Sequence, residues 1–128
     1  MKFLLDSHLL VWSAANSRRL PRAAYLLLAD NRHTFIISVV SLWEIAIKSS
    51  LNKPGFRVDA DRLRQQSLLS GFIELAIQSP HAMATSALPR IHRDPFDRML
   101  VAQAMVERLT LLTVDRTLAR YGSLVRLV

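Results

Sequence analysis

Cysteine is absent from the 128 residues, which excludes disulfides, thiolate metal sites and cysteine nucleophiles. Acids are scarce, with 10 Asp and Glu against 17 Lys and Arg, a formal charge of +7. No apolar run approaches the ~18 residues that a membrane span needs. No basic amphipathic stretch carries an aromatic face, so nucleic acid comes ahead of membrane as the polyanionic partner that the surplus charge calls for. Repeats, low-complexity tracts and linkers are also missing. What is there suits one domain, residues 1–128, around one core, since 51% of the chain is hydrophobic. Among the cations only Lys2, Lys48 and Lys53 are lysine, and the other 14 are arginine, whose planar fork suits phosphate. The opening MKFLLDSHLLVWSAA has the Lys and apolar residues of a signal peptide, but Asp6 and His8 interrupt its apolar core. The expected location is the cytoplasm.

The stretch from His92 to Asp115 organises the rest. After Asp94-Pro95, the residues Met99, Ala102, Met105, Val106 and Leu109 share a helical stripe from which Gln103, Glu107 and Arg108 fall away. Thr110 to Val114 then reads as a short buried strand ending in Asp115. Upstream, Lys2 to Leu5 is a strand that stops at Asp6, and the helix from Ser7 offers Leu9, Leu10 and Trp12 to Ala14 to the core. Pro21 is placed in the first turn of a second helix. Thr34 to Ile37 is a strand, and the helix after it turns Leu42, Ile45 and Ala46 inward and Lys48 outward. Asn52-Lys53-Pro54-Gly55 opens a loop, a polar helix ends at Gly71, and Phe72 to Ile77 is a strand. Ser79-Pro80 starts a short helix as cap and first position, a last small helix ends at Gly122, and Leu124 to Val128 forms an edge strand. Alternating strands and helices predict an α/β fold with a mostly parallel sheet of these five short strands, covered on both faces, with its ligand crevice outside the carboxyl ends of the strands.

Four acids converge on that edge in this scheme. Asp6 and Asp115 end strands, while Glu44 and Asp97 lie in early turns of helices. Carboxylates brought close repel one another unless a cation sits between them, and oxygen donors suit Mg²⁺ or Mn²⁺, whereas zinc prefers His and Cys. His8, His33, His81 and His92 have no zinc-site spacing. Such an ion can activate water against a phosphodiester. Each acid also has a plainer reading: Asp6 or Ser7 caps a helix, Ser41 and Glu44 have capping-box spacing, Asp94-Pro95-Phe96-Asp97 supplies cap, proline and first-turn acid, and Asp115 caps the last helix. Capping remains the favoured role for Asp94. With the other four set aside, six acids face 17 cations, so negative charge is gathered into one pocket of a basic surface. Ser7, Ser38 and Thr113 stand beside the acids as hydrogen-bonding support or as ordinary turn residues, and Arg93, Arg98 and Arg116 flank them as contacts for phosphate or as part of a solvated helix face. Trp12 and Trp43 belong to apolar stripes, in the core or at an interface. A phosphoryl-transfer hydrolase using Asp6 as nucleophile would need a second Asp two residues on, where the chain has His8. A non-catalytic nucleic-acid- or partner-binding module, in which the acids only cap helices, is the alternative; it would gain no stability from Mg²⁺ or Mn²⁺.

LLDSHLLVW, SVVSLWEIAIKSSLNK, HRDPFDRMLVAQA and LLTVDRTLARYG together resemble PIN-domain ribonucleases, more closely the VapC-type toxins of bacterial toxin-antitoxin pairs. The likeness keeps motif order over nearly the whole chain; one departure is the ending YGSLVRLV, which is short and carries Arg126. It implies a PIN-like three-layer α/β/α fold and Mg²⁺- or Mn²⁺-dependent endonucleolytic cleavage of structured RNA, tRNA or rRNA, that inhibits translation. It makes Asp6 the first-strand ligand, Glu44 the acid after the second strand, Asp97 the central ligand, Asp115 the more variable fourth acid and Asp94 a supporting residue. The implied partner is a cognate VapB-type antitoxin that wraps the protein and blocks its pocket, with a toxin homodimer common.

Overall fold

The computed structural model describes residues 1–128. Five strands form one sheet in the order β3-β2-β1-β4-β5: β1 (Lys2–Leu5), β2 (Thr34–Ser38), β3 (Ile73–Leu75), β4 (Thr110–Thr113) and β5 (Val125–Leu127). Every pairing is parallel, with Phe3 beside Phe35 on one side and Thr110 on the other. The helices are α1 (Ser7–Ala14), α2 (Arg22–Ala29), α3 (Val39–Ser50), α4 (Ala60–Leu69), α5 (Ser79–Thr85), α6 (Pro95–Glu107) and α7 (Arg116–Ala119). The mostly parallel sheet expected from the sequence is thus wholly parallel, in an α/β/α sandwich.

A central strand of such a sheet is buried on both faces, which is why β1 is apolar at consecutive positions. Side chains alternate across the pleat. Phe3, Leu5, Phe35, Ile37 and Leu112 point to the face covered by α1, α3 and α4, where Leu9, Leu42, Ile45 and Leu63 meet them. Leu4, Ile36 and Leu111 point to the other face, against Leu100, Val101 and Ala104 of α6 and Leu118 of α7.

Several local expectations are corrected. On α6 the buried residues are Leu100 to Ala104, including Gln103, while Met105 and Val106 are exposed. Gln103 is buried because its amide is satisfied: it accepts from the Ser38 hydroxyl at 2.5 Å and donates to the Ala76 carbonyl at 3.3 Å. The helix ends at Arg108, which adopts the left-handed conformation (φ 57°). On α3, Ala46 and Trp43 face solvent, Trp43 against the edge of Phe96 with ring centroids 5.2 Å apart, and Lys48 is half-buried rather than outward. On α1 the core residues are Leu9, Leu10 and Val11, and Ala14 is exposed. Pro21 is the N-cap of α2, one place before its first turn, and Gln78 rather than Ser79 precedes α5. The third and fifth strands are shorter than expected because each is an edge with a single neighbour. No helix is long and apolar enough to cross a membrane.

Candidate functional site

The carboxyl ends of β1, β2 and β4 open together, and beside them residues of α1 and α3 and the starts of α6 and α7 build a pocket of about 330 Å³. Five carboxylates line it: Asp6, Glu44, Asp94, Asp97 and Asp115. Asp6 leaves β1 and caps α1, its Oδ1 accepting the Leu9 N–H at 2.8 Å, while its Oδ2 accepts the Thr113 hydroxyl at 2.5 Å. Burial pushes its pKa up, only partly offset by those two donors. Asp115 caps α7 with Oδ1, which accepts the Thr117 N–H at 2.8 Å, and its own N–H donates to Thr113 Oγ1 at 3.0 Å. Burial raises its pKa too, but the bonds from His92 and Thr117 outweigh that and hold it below the ordinary range. Thr113 therefore ties the acids after β1 and β4 to each other.

Capping and pocket lining are compatible in Asp6 and Asp115, because each spends one oxygen on its helix and turns the other elsewhere. Asp94 accepts the N–H groups of Phe96 and Asp97 and is the cap of α6. Glu44 is no cap. The N-cap of α3 is Ser38, so Ser41 sits inside the helix and the capping-box reading fails. Instead Glu44, buried at 4% exposure, accepts from the Ser7 hydroxyl at 2.5 Å and from Lys48 Nζ at 2.5 Å. Asp97, in the first turn of α6, takes no backbone hydrogen bond. Burial, and then the charge of Asp94, push its pKa up to about 7, with Glu44 and Asp6 adding to the rise and His92 opposing it.

Spacing in sequence gave no reason to include His92. Its Nε2 lies 3.2 Å from Asp97 Oδ2 and 3.1 Å from Asp115 Oδ2, and single atoms of the three side chains all fall within 4.8 Å of one another. The other histidines do other things: His8 packs on Trp12 and Phe56 at the pocket wall, His33 meets Phe3 and Asp30, and fully buried His81 pairs with Glu107 at 2.9 Å. Of the flanking arginines, Arg98 is committed to carbonyls, donating to Thr85 at 2.6 Å and Pro89 at 3.2 Å. Exposed Arg19 lines the acidic pocket, Arg116 is exposed beside Asp115, and Arg90 and Arg93 join His92 and Arg98 around an adjoining basic hollow of about 510 Å³. Ser38 bonds Gln103 and serves the core rather than the acids.

The donor set fits a hard divalent cation: carboxylate oxygens at the end of a parallel sheet, one of them, Asp97, with its charge poorly compensated. A family model for the PIN domain matches residues 3–124. The chain belongs to the PIN-domain family. Solved structures of similar fold include VapBC2 of Rickettsia felis bound to a DNA fragment from their promoter, with TM-score 0.70 and 18% identity over 99% of this chain and 97% of that one. A toxin-antitoxin complex from Klebsiella pneumoniae has TM-score 0.65 and 20% identity over 96% and 94%. FitAcB from Neisseria gonorrhoeae has TM-score 0.63 and 21% identity over 93% and 91%. No curated protein sequence matches the chain. At these identities the likeness establishes the PIN fold, on which the acidic pocket lies at the carboxyl edge of the sheet.

Proposed function

We propose that this PIN-domain protein is a VapC-type toxin, a Mg²⁺- or Mn²⁺-dependent endoribonuclease that cleaves structured RNA, tRNA or rRNA, and inhibits translation. The observation that carries the reading is the pairing of an acidic pocket, in which Glu44 and Asp97 have no capping duty, with a basic hollow next to it. Asp6, Asp97 and Asp115 would hold the ion, and Glu44 would assist in holding it or in activating water. A divalent cation there supplies Lewis acidity toward water and phosphodiester and neutralises charge on the leaving oxygen. The chain's own residues prepare the place. Thr113 orients Asp6 and Asp115, Ser7 and Lys48 orient Glu44, and Arg19, Arg90 and Arg93 give a salt-dependent grip on phosphates.

The PIN neighbours named as toxin-antitoxin complexes support a VapB-type antitoxin as partner. So does an apolar cavity of about 590 Å³ away from the acids, between α1, α2 and α4, where Tyr25 and Leu69 stand exposed. A homodimer is the expected form without antitoxin. The binding-module reading draws on the caps that Asp6, Asp94 and Asp115 make. The two are separated by incubating total bacterial RNA with the purified protein and Mg²⁺ or Mn²⁺, beside EDTA and Asp97→Asn, and mapping new ends. Discrete fragments that require both metal and Asp97 are expected. Intact RNA under every metal hands the lead to the binding module.

A further inference from the structure

The acidic pocket has a part that is not acidic. His8, Trp12, Arg19 and Lys48 line it beside the carboxylates. His8 is exposed, and it follows Ser7, whose hydroxyl bonds Glu44. Other rings hold its ring in place: it is tilted against Trp12 with centroids 5.5 Å apart, and it stands edge-to-face with Phe56 at 5.1 Å. Phe56 is itself buried, and Lys48 Nζ stands 4.7 Å from its centroid while it pairs with Glu44. Packing thus fixes a ring that the fold leaves in the open, on the border of the pocket that gathers the acids.

The geometry points to His8 as a base-stacking residue: an unpaired nucleobase next to the scissile phosphate lies on the exposed His8 ring, and Arg19 supplies the cation for the phosphate that the base carries. The inference rests on the ribonuclease reading and adds to it a part of the RNA, besides phosphate, that the protein holds. Unpaired RNA bases are held by stacking on Phe, Tyr, Trp or His, because every base has a π-face and the contact needs no particular hydrogen-bond pattern. A ring already fixed by its neighbours loses little freedom when a base settles on it. The pocket, at about 330 Å³, lies at the low end of the ~300–1,000 Å³ of small-molecule sites, the scale of one nucleotide rather than of a duplex. His8 is then a specificity-determining residue whose flat ring matters and whose nitrogens do not.

The test uses the full chain with Trp43→Phe, which leaves Trp12 as the one tryptophan, and Asp97→Asn, which prevents cutting. Oligoadenylate and oligouridylate hexamers, and a base-free ribose-phosphate hexamer, are titrated in with Mg²⁺ while Trp12 emission is followed. The base-bearing hexamers should quench Trp12 and the base-free one should not. His8→Ala should weaken their binding about tenfold, and His8→Phe, a ring without nitrogens, should keep it within about twofold. If His8→Ala does not fold, His8→Leu, which fills the place without a π-face, replaces it. Equal binding of the base-free hexamer, no loss in His8→Ala, His8→Phe as weak as His8→Ala, or no response to any hexamer overturns the stacking role. Stacking without cleavage of total RNA by the wild type brings down the ribonuclease reading and leaves His8 in place; cleavage without stacking brings down only the role of His8.

Discussion

The sign of one stability change separates a charged site from a set of helix caps. Asp97 lies in the first turn of α6, where an acid ordinarily stabilises a helix by a few tenths of a kcal/mol to about 1 kcal/mol. Its surroundings reverse that, because burial and Asp94 move its pKa from 3.8 to about 7. That displacement corresponds to about 4 kcal/mol between the charged and protonated forms, and partial exposure with local relaxation reduces it to about 1–3 kcal/mol. The cost is fully expressed above pH ~7, where Asp97 is ionised folded and unfolded alike. It disappears below pH ~4, where both states are protonated, so metal-free wild type gains stability from this group as pH falls through that window. Asp97→Asn removes the charge at every pH. In EDTA at pH ~8 the variant should therefore be more stable than wild type by about 1–3 kcal/mol, or several degrees in melting temperature, and the gap should close toward pH ~4. Saturating Mg²⁺ or Mn²⁺ should raise wild type and leave the variant unmoved. Urea unfolding across that range measures all of this. A variant less stable than wild type at pH ~8 refutes the argument and makes Asp97 a structural first-turn acid.

Thr113→Val removes the donor to Asp6 and the acceptor for the Asp115 N–H, and should cost about 1–3 kcal/mol in urea unfolding. Arg98→Ala releases the carbonyls of Thr85 and Pro89; faster hydrogen exchange confined to residues 85–94 is the expected signature, with a loss of about 1–3 kcal/mol. Arg108→Gly relieves a left-handed residue at the end of α6 and should stabilise the protein by about 0.5–1 kcal/mol, read as a rise in melting temperature.

The architecture was legible because its signals are local. Each of β1, β2 and β4 is an apolar run closed by a polar residue that caps the next helix, and the caps at Asp6, Asp94 and Asp115 are made within three residues of chain. The acids at those junctions were legible for the same reason. What escaped depends on partners far away in sequence. Gln103 reads as a surface residue until Ser38 and Ala76 arrive to satisfy it, and Met105 and Val106 read as core although they stand exposed between buried Ala104 and Leu109. Ser41 and Glu44 have capping-box spacing, but the helix had begun three residues earlier, at a serine with no distinguishing neighbour. His92 has no helical or strand phase of its own. Its one local clue is the place two residues before Asp94, where the ring can take the Asp94 N–H and so be aimed at acids from two other elements.

The order of the strands has a consequence for synthesis. β1 leaves the ribosome well before β4, which is one of its two neighbours, and the Asp6–Thr113 hydrogen bond joins residues 107 positions apart. The partners of the central strand are therefore divided between an early segment and a late one. Until β4 has been made, the nascent chain lacks the edge of the pocket that carries Thr113 and Asp115, and it exposes one flank of β1 to solvent or to chaperones. The pocket lined by five carboxylates is therefore completed only once β4 and the turn after it have emerged.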